Sequence, residues 1–246
     1  MRRFFSILAF LMPMALFAQT TGYTQFESIY LKPDTKHLKE LYAALKSHNQ
    51  KFHASGPYHA TVYFIANGEM TGWLVWEMGP CTFAESDARP ASAEHDNDWD
   101  FNVLPYVVDQ KYSEIWRRDD DLSVLKPDQA PAKNYYIRYL NVNRDQQHRV
   151  NDMLKKISAT NKELNQDYSW SVYDNMFRQG EAGRHMCFVT PFNKWAELDE
   201  DVDFSAAYDK LYGENAFNGL VSEWLEVFTN SWDEIWTVIP ELSAGN

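Results

Sequence analysis

Cysteine is scarce in this sequence, which holds two, Cys81 and Cys187, in 246 residues. Two cysteines exclude a disulfide-dense scaffold, because such scaffolds hold small secreted domains together through several bridges. Two interpretations stay open, namely one disulfide or two small buried apolar side chains in or just after predicted strands. Neither cysteine has a histidine at a spacing diagnostic of a catalytic thiol.

Positive charge is also scarce. Lysine and arginine number 23 against 35 aspartates and glutamates, which gives a net charge of −12. Proteins bind phosphate backbones largely through lysine and arginine, so we expect no nucleic-acid partner. The chain is 45% hydrophobic and 24% charged, and these globular proportions exclude wholesale disorder, collagen and a membrane-embedded bundle.

Long apolar runs are absent except at the start, where Phe4 to Phe17 is almost wholly apolar. This run is shorter than the ~20 residues that a membrane-spanning helix needs. It follows Arg2 and Arg3, and Ala18 supplies the small residue that a signal peptidase requires. The pattern predicts a cleaved signal peptide over residues 1–18. The product would be soluble, periplasmic or extracellular, with no membrane span after cleavage.

The chain repeats itself. Glu114-Ile115-Trp116 recurs as Glu234-Ile235-Trp236, and the acidic run 96–101 recurs as 199–204. The first helical apolar stripe of each half also aligns, pairing Leu38, Leu41, Tyr42 and Leu45 with Val150, Met153, Leu154 and Ile157. Because these matches occur in the same order in both halves, they indicate an internal duplication.

The duplication sets the predicted domain boundaries. The first repeat covers 24–123, a linker with two prolines and no periodicity covers 124–133, and the second repeat covers 134–246. Aligning the halves requires an insertion in the first one, from Asp87 to His95.

Each repeat reads as strand, helix, strand, strand, helix, strand. The clearest predicted strands are 26–32, 59–66 and 72–78 in the first half and 135–142, 168–176 and 184–190 in the second. This order is the ferredoxin-like βαββαβ pattern, whose sheet carries helices on one face and needs cover on the other. Two such sheets can cover each other. We therefore predict an α+β fold of two ferredoxin-like repeats packed sheet to sheet as an intramolecular α/β barrel.

In this element order and duplication, the sequence resembles the dimeric α/β-barrel superfamily in a tandem-fused form, over about residues 24–246. Members include antibiotic-biosynthesis-type monooxygenases, NIPSNAP-like proteins, haem-degrading enzymes and chlorite-dismutase-like proteins. The resemblance is architectural and brings no catalytic signature, so it implies a fold and only suggests an oxidoreductase. Single-unit relatives dimerise to cover the open face of their sheet. In a fused pair the two sheets cover each other within one chain, so we expect a monomer.

Polar and aromatic side chains on the predicted strands are the candidates for a pocket between the sheets. A cavity with a few polar groups is the usual form of a small-molecule site, whereas the alternative is a packed inter-sheet core. Strand alternation puts Tyr63 on the opposite face from Val62 and Phe64. The candidate ligand-binding residues are Glu27, Tyr63, Trp73, Glu77, Arg138, Trp170, Tyr173 and His185.

No metal site is predicted. His53 and His59 flank a Gly-Pro turn, but as a zinc pair they lack a recognisable third ligand. The repeated acidic runs lack the glycine and glutamate of an EF-hand loop. Haem would need an axial ligand, commonly histidine. His185 and His148 are the best-placed candidates, but no motif selects either, so we expect no cofactor and keep haem as an alternative.

No G-x-S-x-G, P-loop, G-x-G-x-x-G or H-E-x-x-H motif occurs. The sequence therefore predicts an exported protein that holds a small, partly apolar ligand between its repeats. One alternative is a cofactor-independent or haem-dependent oxidoreductase of the α/β-barrel type. A further alternative is a carbohydrate- or surface-binding module, suggested by nine tryptophans in an acidic exported chain.

Overall fold

The computed structural model describes residues 23–89, 92–126, 130–164, 169–178, 180–200 and 202–244. The predicted signal peptide lies outside these ranges. No helix within them has the length and apolar character needed to cross a membrane.

The described residues form eight strands and six α-helices. The strands are β1 Gln25–Pro33, β2 Ala60–Asn67, β3 Leu74–Met78, β4 Val107–Val124, β5 Asn134–Val142, β6 Trp170–Asn175, β7 Met186–Phe192 and β8 Phe228–Val238. The helices are α1 Leu38–Phe52, α2 Phe83–Asp87, α3 Ala93–Asp98, α4 Val150–Leu164, α5 Phe204–Tyr212 and α6 Ala216–Val227.

All eight strands form one closed antiparallel barrel in the order β1-β3-β2-β8-β5-β7-β6-β4. Within it, β4-β1-β3-β2 and β8-β5-β7-β6 have the same strand order, which is that of a ferredoxin-like sheet. The two four-stranded sheets join where β2 pairs with β8 and where β4 pairs with β6. The predicted α+β barrel of two ferredoxin-like sheets is confirmed.

The helices cover only the outer surface of the barrel. On α1, the apolar stripe buries Leu41 and Leu45 in one cluster with Leu31 of β1 and Val62 of β2. On α4, Met153, Leu154 and Ile157 bury the equivalent stripe in the second half. Because side chains alternate along a strand, the other strand face points into the barrel. A third, largely aromatic cluster around Tyr30, Tyr139 and Trp236 fills part of that interior.

Two predicted features differ in detail. The strand predicted over 72–78 begins at Leu74, because Gly68 and Gly72 adopt φ values of 120° and 91° in the preceding turn. Such positive values suit glycine and interrupt a strand. Cys81 and Cys187 are both buried free thiols. The structure therefore agrees with the interpretation of two small buried side chains rather than a disulfide.

Candidate functional site

A cavity of about 380 Å³ lies inside the barrel. Its walls are mainly aromatic, since alternate positions of each strand face inward: Tyr135, Ile137 and Tyr139 on β5 line it in this way. Trp116 of β4 and Trp236 of β8, the repeated tryptophans, line it from the two halves. This arrangement can hold a flat, apolar molecule by stacking and edge contacts.

Glu77 of β3 is the one carboxylate among the described residues that line this cavity. The Tyr63 hydroxyl donates a hydrogen bond to Glu77 Oε1 at 3.0 Å. Burial raises the pKa of Glu77 to about 7, and the Tyr63 hydrogen bond opposes that rise only partly. A carboxyl that titrates near neutrality suits a general base, because it accepts a proton strongly while still being ionised in part.

The tyrosine hydroxyls and the thiol in the cavity are held in their protonated forms. Burial first, and the nearby Glu77 charge second, raise the pKa of Tyr63 and of Tyr173. Burial also raises the pKa of the Cys187 thiol well above its usual range. Only the thiolate is a nucleophile, so the protonated Cys187 thiol serves as part of the cavity wall. Glu77 is the group suited to take up a proton.

A buried charged network closes one end of the interior. Arg184, only 1% exposed, forms a two-point ion pair with Glu114, at 2.8 Å from Nε to Oε1 and 2.9 Å from Nη2 to Oε2. Arg184 Nη2 also donates to the Tyr30 hydroxyl at 2.8 Å, and Tyr30 donates to Glu234 Oε2 at 3.0 Å. Tyr30 has one hydroxyl proton, which it donates to Glu234. In the 2.8 Å contact between the hydroxyls of Tyr30 and Tyr139, Tyr139 is therefore the donor.

The repeated Glu-Ile-Trp motif produces the same contact in each half. Trp116 Nε1 donates to Glu114 Oε2 at 3.1 Å, and Trp236 Nε1 donates to Glu234 Oε2 at 2.8 Å. Arg184 breaks this symmetry, because the alignment of the halves places Gly72 opposite it. One buried cation therefore faces two buried carboxylates, and burial raises the pKa of Glu234 despite the opposing Arg184 charge.

Three of the eight predicted site residues line the cavity, namely Tyr63, Glu77 and Tyr173. The other five lie elsewhere, and strand parity explains three of them. Glu27 follows the cavity residue Phe26, so it faces outward and pairs with Arg89. Arg138 lies between Ile137 and Tyr139 and pairs with Asp233 at 2.8 Å on the outer face.

Trp170 has the opposite parity from Tyr173 and packs on Phe188 in the core beneath the helices, with ring centroids 4.9 Å apart. Trp73 and His185 each lie one residue before a strand begins. The ammonium groups of Lys32 and Lys111 lie 5.8 and 5.5 Å from the centroid of the Trp73 ring. The backbone N–H of Val142 donates to His185 Nδ1 at 2.9 Å. For these five candidates, the predicted position in a pocket between the sheets is therefore corrected.

Sequence reasoning missed most of the cavity wall and the whole charged network. The signal for the wall was present, since Trp116 and Trp236 belong to the repeated motif. The alternation Tyr135, Ile137, Tyr139 also marks one strand face. No sequence pattern indicated that Arg184 is buried, because a single arginine next to a Gly-rich turn is normally expected to be exposed.

The described residues do not suit haem in this cavity. Haem iron is held by histidine, a cysteine thiolate, methionine or tyrosine. Cys187 and the lining tyrosines are kept protonated by burial. His59 is the one histidine among the described lining residues, and its Nε2 lies 2.7 Å from the Ala244 carbonyl oxygen, so only Nδ1, the nitrogen nearer the backbone, would be left to bind iron. No chemical step through haem is therefore derived.

No protein-family model matches the chain, and no curated protein matches it. Solved structures do match in fold. A monooxygenase-like protein from Lactobacillus acidophilus NCFM is 12% identical with a TM-score of 0.52, covering 90% of this chain and 96% of that one. An anthrone oxidase-like protein is 11% identical with a TM-score of 0.54, covering 89% and 92%.

A mutant chlorite dismutase from Candidatus Nitrospira defluvii is 7% identical with a TM-score of 0.57, and the match covers 90% of this chain and 94% of that one. These identities are too low to carry an activity across, because one fold supports many functions. The chain has the ferredoxin-like α/β-barrel fold of the monooxygenase-like and chlorite dismutase-like proteins.

Proposed function

We propose that the barrel interior binds a small, largely aromatic molecule with an acidic proton, and that Glu77 removes this proton in a cofactor-independent oxidation by O₂. The observation that carries the proposal is a single carboxyl, with a pKa of about 7, in an aromatic cavity of about 380 Å³. This volume falls within the roughly 300–1,000 Å³ of small-molecule sites.

The chemistry follows from the position of Glu77. Its carboxylate takes a proton from an activated methylene of the bound molecule, and Tyr63, which donates to Oε1, keeps the carboxylate in place. The resulting electron-rich carbon is oxidised by O₂. In the overall balance, R₂CH₂ and O₂ give R₂C=O and H₂O, so one oxygen atom enters the product and the other leaves as water.

Two facts favour this oxidation over simple binding. A carboxyl buried among aromatic rings destabilises its own ionised form, and that cost is typical of groups retained for chemistry. The fold neighbours include proteins described as monooxygenase-like and anthrone oxidase-like. Little favours a carbohydrate-binding surface, since among the described residues Trp195 is the one tryptophan that is mostly exposed, at 55%.

Anthrone, a flat three-ring ketone with an acidic methylene, is the test substrate. Binding is followed by quenching of tryptophan fluorescence, and turnover by O₂ uptake above the rate in buffer. We expect Glu77→Gln to lower kcat by about 10²–10⁴-fold, the usual contribution of a general base, with Kd nearly unchanged. In the wild type, kcat/KM should rise with pH through about 7 as Glu77 ionises.

Glu40→Gln on the exposed surface of α1 is the matched control and should leave both constants unchanged. Quenching without turnover would leave a binding protein and reject the oxidation. No quenching by any flat aromatic ketone would reject the site itself. A strong visible absorption band in the purified protein would favour the haem-dependent alternative instead.

We also propose that the chain is exported after cleavage at Ala18, that its halves arose by duplication, and that it is a monomer. The mass of the secreted protein should correspond to a start at Gln19. Its sedimentation should correspond to one chain, since the barrel is already closed by a single copy. A retained N-terminus or a stable dimer would contradict these expectations.

A further inference from the structure

Three histidines meet on the outside of the first half, away from the barrel cavity. His48 lies on α1, His53 directly follows that helix, and His95 lies on α3. The His53 ring packs edge-on against Trp76 of β3, with centroids 5.0 Å apart. Since Trp76 and Glu77 face opposite sides of the strand, the sheet separates this cluster from the cavity.

The distances within the cluster match those of a metal site. One ring nitrogen of each histidine lies within 4.8 Å of the other two, and His53 Nε2 lies 3.2 Å from His95 Nε2. Nitrogen atoms bound tetrahedrally to zinc at about 2.0–2.1 Å are about 3.3 Å apart. A metal ion could therefore bind with only small movements of the rings.

Each ring is oriented by a hydrogen bond at its other nitrogen. His48 Nδ1 lies 2.8 Å from Asp98 Oδ2, and His95 Nδ1 lies 3.0 Å from Asp96 Oδ1. His53 Nδ1 lies 2.9 Å from the carbonyl oxygen of Tyr58. Metal-binding histidines characteristically donate their remote N–H to a carboxylate or a carbonyl in this way.

The histidine protons all lie on Nδ1, which leaves the Nε2 atoms of the cluster without a donor. A carbonyl oxygen and an ionised carboxylate only accept hydrogen bonds, so each histidine carries its proton on Nδ1. The three Nε2 atoms are then lone-pair acceptors, and those of His53 and His95 lie 3.2 Å apart. His48 Nε2 is buried and has no hydrogen-bond partner among the described residues. Lone pairs as close as those of His53 and His95 repel each other unless a cation lies between them, and a buried polar atom without a partner is costly.

We propose that His48, His53 and His95 bind one divalent transition-metal ion of the zinc type through their Nε2 atoms, with a water molecule as the fourth ligand. An all-imidazole set suits Zn²⁺ and its transition-metal neighbours, whereas Mg²⁺ and Ca²⁺ prefer oxygen ligands. The fourth position lies toward solvent, because the His95 side chain is 25% exposed while that of His48 is fully buried. Asp96 and Asp98 offset the charge of the ion.

The site belongs to the first half alone. The insertion from Asp87 to His95 supplies the third histidine, and the alignment of the helical stripes places Thr160 opposite His48. Thr160 Oγ1 donates to the Lys156 carbonyl oxygen at 2.9 Å, as a helix residue without a ligand role does. The metal would attach the inserted segment to the end of α1.

The test uses the untagged full-length chain, stripped with a chelator and then titrated with Zn²⁺ by calorimetry in the presence of excess Mg²⁺. We expect one Zn²⁺ per chain, a higher midpoint of thermal unfolding with added Zn²⁺, and about three imidazole ligands in X-ray absorption. His95→Ala should abolish stoichiometric binding. Asp98→Asn should weaken it by about 10–100-fold, because it loosens the His48 ring without removing a ligand.

His148→Ala, which removes an exposed histidine outside the cluster, is the matched control and should bind like the wild type. If His95→Ala does not fold, His95→Gln, with a polar side chain at the same partly exposed position, replaces it. The proposal is overturned if the folded wild type binds no Zn²⁺, or if a folded His95 variant binds it as tightly as the wild type. If the cluster holds only a proton shared between two histidines, the folded wild type would bind no Zn²⁺, and the proposal would be rejected.

Discussion

Arg184 and Glu114 pair across 70 residues of sequence in the interior of the barrel, with side-chain exposures of 2% and 0%. The Arg184 guanidinium also lies 3.8 Å above the Tyr139 ring and 4.5 Å from the Tyr112 ring. A charge so enclosed is tolerated only when its partner and its hydrogen bonds are in place, because water cannot replace them. The pair therefore joins β4 of the first half to the turn before β7 of the second.

Replacing Arg184 should destabilise the fold strongly. In Arg184→Met, Glu114 loses its buried counter-charge, and we expect a loss of about 3–5 kcal/mol in the free energy of unfolding. The positive φ of residue 184 is the same problem for methionine as for arginine, so backbone strain cancels in the comparison. Adding Glu114→Gln should recover much of the loss, because the unpaired charge is removed.

Arg138→Met is the control for this experiment. Arg138 pairs with Asp233 at 2.8 Å, but both side chains are more than 40% exposed, so its loss should cost less than about 1 kcal/mol. Guanidinium unfolding curves measure these three variants and Glu114→Gln alone, which completes the double-mutant cycle. Equal losses in Arg184→Met and Arg138→Met, or purely additive losses in the double variant, would contradict the pairing energetics.

The raised pKa of Glu77 should make the free energy of unfolding fall as pH rises. Its pKa is raised by burial from 4.5 to about 7, so the folded state binds the proton more tightly than the unfolded state does. This stabilisation is complete below about pH 4.5 and is lost as pH rises toward 7. The loss is on the order of 3 kcal/mol at 1.36 kcal/mol per pKa unit.

Glu77→Gln removes that dependence. The stability of the variant relative to the wild type should increase between pH 5 and pH 8, as urea unfolding at each pH measures. In Glu40→Gln, the difference from the wild type should change by less than about 1 kcal/mol, since the 3.9 Å contact of Glu40 with His37 is half exposed. A flat difference for Glu77→Gln would show that the carboxyl is hydrated in the cavity.

Gly68 should tolerate alanine much less well than Gly72. Both have positive φ, so alanine meets similar backbone strain at each. A Cβ on Gly68 would lie 2.8 Å from the Asp233 carbonyl oxygen in β8, whereas a Cβ on Gly72 would meet nothing within 4 Å. We expect Gly68→Ala to be less stable than Gly72→Ala by about 1–3 kcal/mol, the cost of overpacking. Thermal unfolding of both variants checks this, and equal midpoints would contradict the clash.

The repeated patterns predicted the fold because they are local. The stripe Leu38, Leu41, Tyr42 and Leu45 indicates a helix by spacing alone, and its recurrence indicates a second copy of the same unit. Glu77 and Tyr63 could be proposed for the interior because strand parity can be read from neighbouring residues. Trp170 and Tyr173 have opposite parity, so the sequence already implied that only one of them could face the cavity.

The rest depended on where distant segments meet. His95 lies in an insertion that has no counterpart in the second half, so no repeat pattern could place it beside His48 and His53. Proximity along the chain suggests His59 as the partner of His53, but the structure brings His53 to His95 instead. Arg184 likewise meets Glu114 only after the barrel closes.

That closure has a consequence for how the protein is made. Tyr63 in β2 pairs with Val238 in β8, so the ring of strands is completed only after β8, the last described strand, has been synthesised. Folding slows as contacts join more distant residues, so the last seam should form late. A half synthesised alone would present two bare strand edges, which recruit other extended chains. Covalent linkage keeps the matching edges at high effective concentration, which favours the correct pairing over aggregation.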